Sequence, residues 1–200
     1  SGVLMISTIP VMIIFFSSIF KIEKTNAYQI SGVIFSLFGV VMIITKAELN
    51  LLLNLNFNKG DVWMVVAMFS WAIYSALLKK KKHKLSQISL LETIISMGLI
   101  FLFPIYIIEM KMGYHVILNV PFVLTLVYVV LFPGLASFIF WIKGISIIGA
   151  NRSGIFLHLM PIMSTILAII IFEEKFMFYH LVGAILILIG IFLSNKENHA

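Results

Sequence analysis

Seven apolar stretches, each long enough to cross a lipid bilayer as a helix, take up most of this 200-residue chain, at roughly 3–20, 28–45, 61–78, 88–108, 122–148, 154–172 and 179–195. About 20 helical residues span the ~30 Å hydrocarbon layer. Hydrophobic residues are 62% of the chain and charged ones 11%, more apolar surface than a soluble domain of this size could hide. Lipid is therefore the expected solvent. In lipid, backbone polar groups must pair within the segment, and no stretch alternates like a barrel strand. The expected fold class is all-α, a polytopic transmembrane helix bundle of seven spans. The fifth stretch is too long for one straight perpendicular crossing, and Pro133-Gly134 near its middle predicts a kink or a partly unwound turn. Residues 46–60 (KAELNLLLNLNFNKG) fit a short strand or a segment lying on the bilayer surface equally well.

Residues 10–46 recur as residues 161–197 at a constant offset of 151, without a gap. Pro10 matches Pro161, Glu23 and Lys24 match Glu174 and Lys175, Tyr28 matches Tyr179, and Gly32 and Gly39 match Gly183 and Gly190. These residue types are scarce here, so shared apolarity does not explain the matches. Both copies read as apolar helix, charged corner, apolar helix. A duplicated helical unit in a membrane is the mark of a transporter. Five crossings separate equivalent helices, and five is odd. The copies are expected to be inverted, about a pseudo-two-fold axis in the membrane plane.

Charge sets the orientation. The net charge is +6, but Lys79, Lys80, Lys81, Lys82 and Lys84 form one run between two spans. That is the pattern of a cytoplasmic loop, not of nucleic-acid binding. With this loop, the 21–27 corner, the 149–153 corner and the C-terminus on the cytoplasmic side, nine basic residues lie inside against four outside. The chain has no cysteine, which removes disulfides and thiolate metal sites. There is no H-E-x-x-H, P-loop or nucleophilic Cys, and Asp61, which would N-cap a helix, is the sole aspartate. No enzyme activity, metal or cofactor is expected. Asn151-Arg152-Ser153 fits a glycosylation pattern but sits in a short basic-side corner, where it reads as chance.

The stretch GDVWMVVAMFSWAIYSALLKK (60–80), the stretch FWIKGISIIGANRSGIFLHLMPIMSTILAIIIFEEK (140–175) and the repeated P…E…G…G together resemble the EamA-type domain of the drug/metabolite transporter superfamily. The resemblance implies ten helices in two inverted five-helix halves that move small organic metabolites. By it, residues 1–46 are the last two helices of the first repeat, 47–60 an extracytoplasmic linker, 61–197 the five-helix second repeat and 198–200 a cytoplasmic tail. Three N-terminal helices are then missing. The chain opens on Ser1 at the edge of an apolar helix, so its N-terminus reads as cut. If it is not, a homodimer or a partner would have to supply the helices. The location implied is a plasma membrane, that of a bacterium.

Several side chains are candidates for chemistry. Gly32/Gly39 and Gly183/Gly190 are each seven apart on one helix face and read as close-packing positions. Pro10 and Pro161 read as kinks near a pathway, passive or hinging. Glu23 and Glu174 read as solvated or cap-forming corners rather than proton carriers. Ser70, Trp71, Tyr74 and Ser75 share an arc that could stack and hydrogen-bond a substrate or belong to the aromatic belt at the interface. Lys143, inside a span, either snorkels or faces a cavity and meets an anionic or zwitterionic substrate. His158 is either a packing histidine or converges with Lys143, which lies at similar depth. Glu92 could pair with the lysine loop or with a cavity cation. The substrate set is accordingly Trp71, Tyr74, Ser75, Lys143 and His158. The reading is a secondary transporter, an exporter of small metabolites working by alternating access between the inverted repeats. A nucleotide-sugar or sugar-phosphate antiporter should carry several deep Lys or Arg residues, and only Lys143 is present. A membrane scaffold without transport is the remaining alternative.

Overall fold

The computed structural model describes residues 2–48, 50, 58–80, 86–114 and 116–196. The chain divides into two compact units, Ser1–Lys81 with Ile145–Ala200, and Lys82–Gly144. The larger contains α1 (Gly2–Ile6), α2 (Ile9–Ile19), α3 (Ala27–Ile44) and α4 (Lys59–Lys79). After residue 145 it continues with α8 (Ala150–Ile155), a single 3-10 turn (Phe156–His158), α9 (Leu159–Phe172) and α10 (Phe178–Asn195). The smaller contains α5 (Gln87–Lys111), α6 (Val120–Val129), a π-helical segment (Val130–Ala136) and most of α7 (Ser137–Ile148). Among the described residues, six helical stretches are long and apolar enough to cross a membrane: Ala27–Ile44, Lys59–Lys79, Gln87–Lys111, Val120–Ile148, Ala150–Phe172 and Phe178–Asn195. A shorter apolar stretch, Leu4–Ile19, precedes them. The all-α, polytopic reading holds, and no strand occurs among the described residues. The 51–57 part of the 46–60 segment and most of the lysine run lie outside those residues.

Polar residues start the helices. Asn26 begins α3 in a capping box: its Oδ1 accepts from Gln29 N at 2.7 Å, and Gln29 Oε1 accepts from Asn26 N at 3.4 Å. The sequence places Asp61 at the N-cap of α4; the structure moves that role to Asn58. Asp61 is the third helical residue and closes the box, accepting from Asn58 N at 2.8 Å and donating its own N–H to Asn58 Oδ1 at 3.1 Å. The Asn side chain wins because it reaches the free N–H one turn on. Helix α2 ends on Lys21 at φ 51°, with Ile22 N bonded to Ser17 O and Lys21 N to Ser18 O, the paired bonds of a Schellman stop.

The turn expected at Pro133-Gly134 is the π segment. Pro133 has no N–H for the Val129 carbonyl, and widening to i→i+5 bonding passes that role to Gly134. A Cβ on Gly134 would lie 3.1 Å from Val129 O. The smaller unit keeps most of its large apolar side chains exposed, from Leu99 to Phe103 on α5 and from Val127 to Phe132 beyond, as lipid-facing helices do.

In the larger unit α3 lies against α10, with Val40, Ile43 and Ile187 at the centre, flanked by Leu159, Ile162 and Ile191. Helix α4 turns Met68, Ala72, Ser75 and Ala76 inward and packs on α2, where Phe69 meets Phe16 edge-on at 5.9 Å.

Candidate functional site

The repeat offset becomes geometry where α3 crosses α10. A Cβ on Gly32 would lie 2.6 Å from Ser194 N, and one on Gly190 2.6 Å from Ser36 N. On Gly39 it would lie 2.5 Å from Gly183 O, and on Gly183 2.5 Å from Ile43 Cγ1. Backbones this close need glycine on both sides. The contact of Gly32 with Gly190 maps onto that of Gly183 with Gly39 when 151 is added to or taken from each number. Rising numbers on α3 meet falling numbers on α10. The equivalent helices therefore run antiparallel, with the pseudo-two-fold between them.

Both preceding spans are broken in the same place. Pro10 stands second in α2 and Pro161 third in α9. Lacking N–H groups, they cannot serve the carbonyls of Ile6 and Leu157. The chain answers with a turn at Ser7-Thr8 in one copy and the 3-10 turn at 156–158 in the other. The two breaks meet. His158 Nε2 lies 2.8 Å from the carbonyl oxygen of Ser7, and these residues are equivalent at the offset of 151. On its other side, His158 Nδ1 lies 2.6 Å from Ser36 Oγ. The ring is 1% exposed. A carbonyl can only accept, so Nε2 carries a hydrogen. Beside the ring is a cavity of about 210 Å³, lined by Ile6, Ser7, Leu157, His158, Met160, Pro161 and Ser164.

Trp71 and Tyr74 form a tilted ring pair with centroids 5.5 Å apart. Both are half-buried, and Ser75 is buried. They do not line the His158 cavity. The Tyr74 hydroxyl is shielded from solvent and meets no hydrogen-bond partner among the described residues. Ser70 is exposed and bonds to its own helix at Val66 O. Lys143 is an exposed residue of α7, in the other unit, and Glu92 is exposed on α5.

Glu23 is half-buried, and its two oxygens accept from Ala150 N at 2.9 Å and Asn151 N at 3.0 Å. This is a cap on the first turn of α8, where a carboxylate also complements the helix dipole. Gly149, which precedes that turn, has φ 91°, and a Cβ there would lie 2.5 Å from Glu23 Oε1. Asn151 is buried and donates to Thr25 Oγ1 at 3.4 Å, so its side chain belongs to this joint and is closed to a glycan. Glu174 is exposed, and its carboxylate has no hydrogen-bond partner among the described residues. Sequence reasoning missed Ser7 and Ser36. Carrying the offset three residues upstream of Pro10 would have paired Ser7 with His158; Ser36 has no such signal, because its equivalent is Ile187.

Comparison with known proteins gives the family. Residues 58–196 match the EamA-like transporter family. An uncharacterized transporter of Archaeoglobus fulgidus is 26% identical over 176 residues, covering 88% of this chain and 60% of that protein. The uncharacterized transporters YyaM and YetK of Bacillus subtilis are 20% and 26% identical over 197 residues each, covering 98% and 97% of this chain and 64% and 58% of theirs. The chain thus spans about three fifths of the length of these curated relatives. No solved structure matches. With the family matched across more than half of its length, the chain belongs to the EamA-like transporters of the drug/metabolite transporter superfamily.

Proposed function

We propose that the complete protein is a secondary transporter that exports small organic metabolites across a bacterial plasma membrane by alternating access between its inverted repeats. The observation that carries this reading is the crossing of α3 and α10, where glycine contacts repeat across a pseudo-two-fold and two proline-broken spans meet on it. Two related halves around one axis offer two packings of similar energy, which alternating access requires. Trp71, Tyr74 and Ser75 would contact substrate, Lys143 would supply the charge for an anionic or zwitterionic group, and His158 would hold the axis.

Helices N-terminal to Ser1 belong to this proposal. Subtracting 151 from the helix start that Glu23 caps, Ala150 and Asn151, gives the two positions just ahead of Ser1. Glu174 would cap there as Glu23 caps α8. The cytoplasmic C-terminus is part of the same reading, resting on the lysine run.

The test is a thermal-shift screen of the full-length protein against small organic metabolites. Flux of each stabilising compound is then measured in proteoliposomes. Flux of at least one, cut strongly by Lys143→Met and weakened in affinity by Trp71→Ala, is expected. Stabilising compounds that never cross would overturn the transport reading. Near-wild-type flux in Lys143→Met would remove that residue from the site.

A further inference from the structure

The Ser36 hydroxyl has one proton and two acceptors in reach: His158 Nδ1 at 2.6 Å and Val33 O at 3.0 Å. The other ring nitrogen keeps its hydrogen toward Ser7 O at 2.8 Å whatever the charge. Two complete arrangements follow. With a neutral ring, Ser36 donates to Nδ1. With a charged ring, Nδ1–H donates to Ser36 Oγ, and the hydroxyl rotates to donate to Val33 O. Neither leaves a ring nitrogen or the hydroxyl without a partner. The pair therefore has a complete arrangement for each charge state of the ring, the two differing by one proton on Nδ1 and one rotation of the hydroxyl.

We propose that the His158–Ser36 pair binds one proton at the repeat crossing, and that this proton is the coupling ion of the transporter. The balance is simple: an N–H bond forms at Nδ1 on uptake and breaks on release, and the ring's charge changes by one. The coupling half rests on the transport reading above; the binding half does not. The surroundings say how conformation would set occupancy. Helices α1, α2 and α9 carry no Asp, Glu, Lys, Arg, His or Tyr. Helix α3 carries only Tyr28 at its far end, and α8 only Arg152, six residues before His158. On α10 the titratable residues are Tyr179 and His180, and His180 Nδ1 accepts from Met177 N in that helix's own cap. No carboxylate on these elements offsets a charged ring. Its charge must be met by water or an anion in the adjoining cavity of about 210 Å³. A conformation that opens the cavity to water favours the bound proton. One that closes it expels the proton or demands an anionic group beside the ring. That difference between states is what couples a proton to a conformational cycle.

Binding is read without any substrate. In full-length protein in lipid nanodiscs, every histidine except His158 is replaced by glutamine, His83, His115, His180 and His199 among them, and the ring nitrogen-15 shifts of His158 are followed against pH. Reversible conversion to a doubly protonated ring, with the fold intact, is expected. Ser36→Ala, which removes the relay without adding bulk, should leave the ring neutral throughout. A ring locked in one tautomer across the range in which the protein stays folded overturns the proposal, as does titration unchanged by Ser36→Ala. Coupling is read in proteoliposomes with a lumenal pH dye, as proton movement that accompanies substrate flux and is lost in Ser36→Ala. Flux indifferent to an imposed pH gradient overturns the coupling half alone, and no flux at all overturns the transport reading while the ring titration stands.

Discussion

Glu23 shows how a single side chain ties the two copies together. Its carboxylate bridges 127 and 128 positions of sequence to the first turn of α8, and Gly149 makes room for it with a positive φ and a bare Cα. A carboxamide has one oxygen where the carboxylate has two, so Glu23→Gln leaves one of the two N–H groups unserved. We expect a loss of about 1–2 kcal/mol, read as a lower melting temperature in detergent. Gly149→Ala should cost at least as much, since it adds backbone strain to the clash with the same carboxylate. Glu174→Gln, made in this 200-residue chain without the helices proposed before Ser1, should be near neutral, because that carboxylate is exposed there and holds nothing among the described residues. Equal losses in Glu23→Gln and Glu174→Gln would contradict this assignment. The sequence shows two equivalent corner glutamates and a cap as one of their readings. It cannot show that Glu23 caps a helix of the other copy, because nothing local encodes a partner so far along the chain.

At the scale of the element, helices were legible and their ends less so. Apolar run lengths locate the spans because lipid forces helix on any run of about 20 such residues. Pro133-Gly134 marked a kink or a partly unwound turn, and only the structure shows that it takes the form of a π segment. The start of α4 was misread by three residues because Asn58 and Asp61 are both good caps, and only geometry picks between them. Glycine roles were half legible: spacing of seven marks one face, but only the structure shows what the face meets. The glycines offer an internally controlled test. Gly32→Ala or Gly190→Ala drives a Cβ into facing backbone and should destabilise by about 1–3 kcal/mol, through overpacking that backbone cannot relieve. Gly98→Ala, on α5 with nothing within 4 Å of the added carbon, should be neutral or stabilising by up to about 1 kcal/mol. Denaturant unfolding in mixed micelles would measure all three, and a destabilised Gly98→Ala would remove the contrast on which the crossing argument rests.

At the scale of the whole molecule, the inverted repeat was the most legible property of all, since equivalent helices that are five spans apart, an odd offset, must run in opposite directions. The structure adds that three segments expected on one side do gather at one end of the larger unit. The 21–27 corner meets the 149–153 corner through Glu23 and through Thr25 with Asn151. Lys196, just beyond α10, lies 5.2 Å from the ring of Tyr28 at the start of α3. A shared end does not say which compartment that end faces; the cytoplasmic side is the proposal drawn from the lysine run, because basic loops tend to be retained there. Helix α5 offers the cleanest reading of that compartment. It runs from Gln87 to Lys111, so Ser86 and Tyr114 flank its two ends, and a helix of that length reaches across the hydrocarbon layer. With no native cysteine, a single cysteine at either position reports alone. Tyr114→Cys should react with an impermeant thiol reagent added to intact cells, and Ser86→Cys only after the membrane is opened. The reverse pattern would turn the protein over in the membrane while leaving the fold, the crossing and the inversion of the repeats untouched. In that case the lysine run would face outward, against the force that positions basic loops, and some other feature of the chain would have to set its orientation.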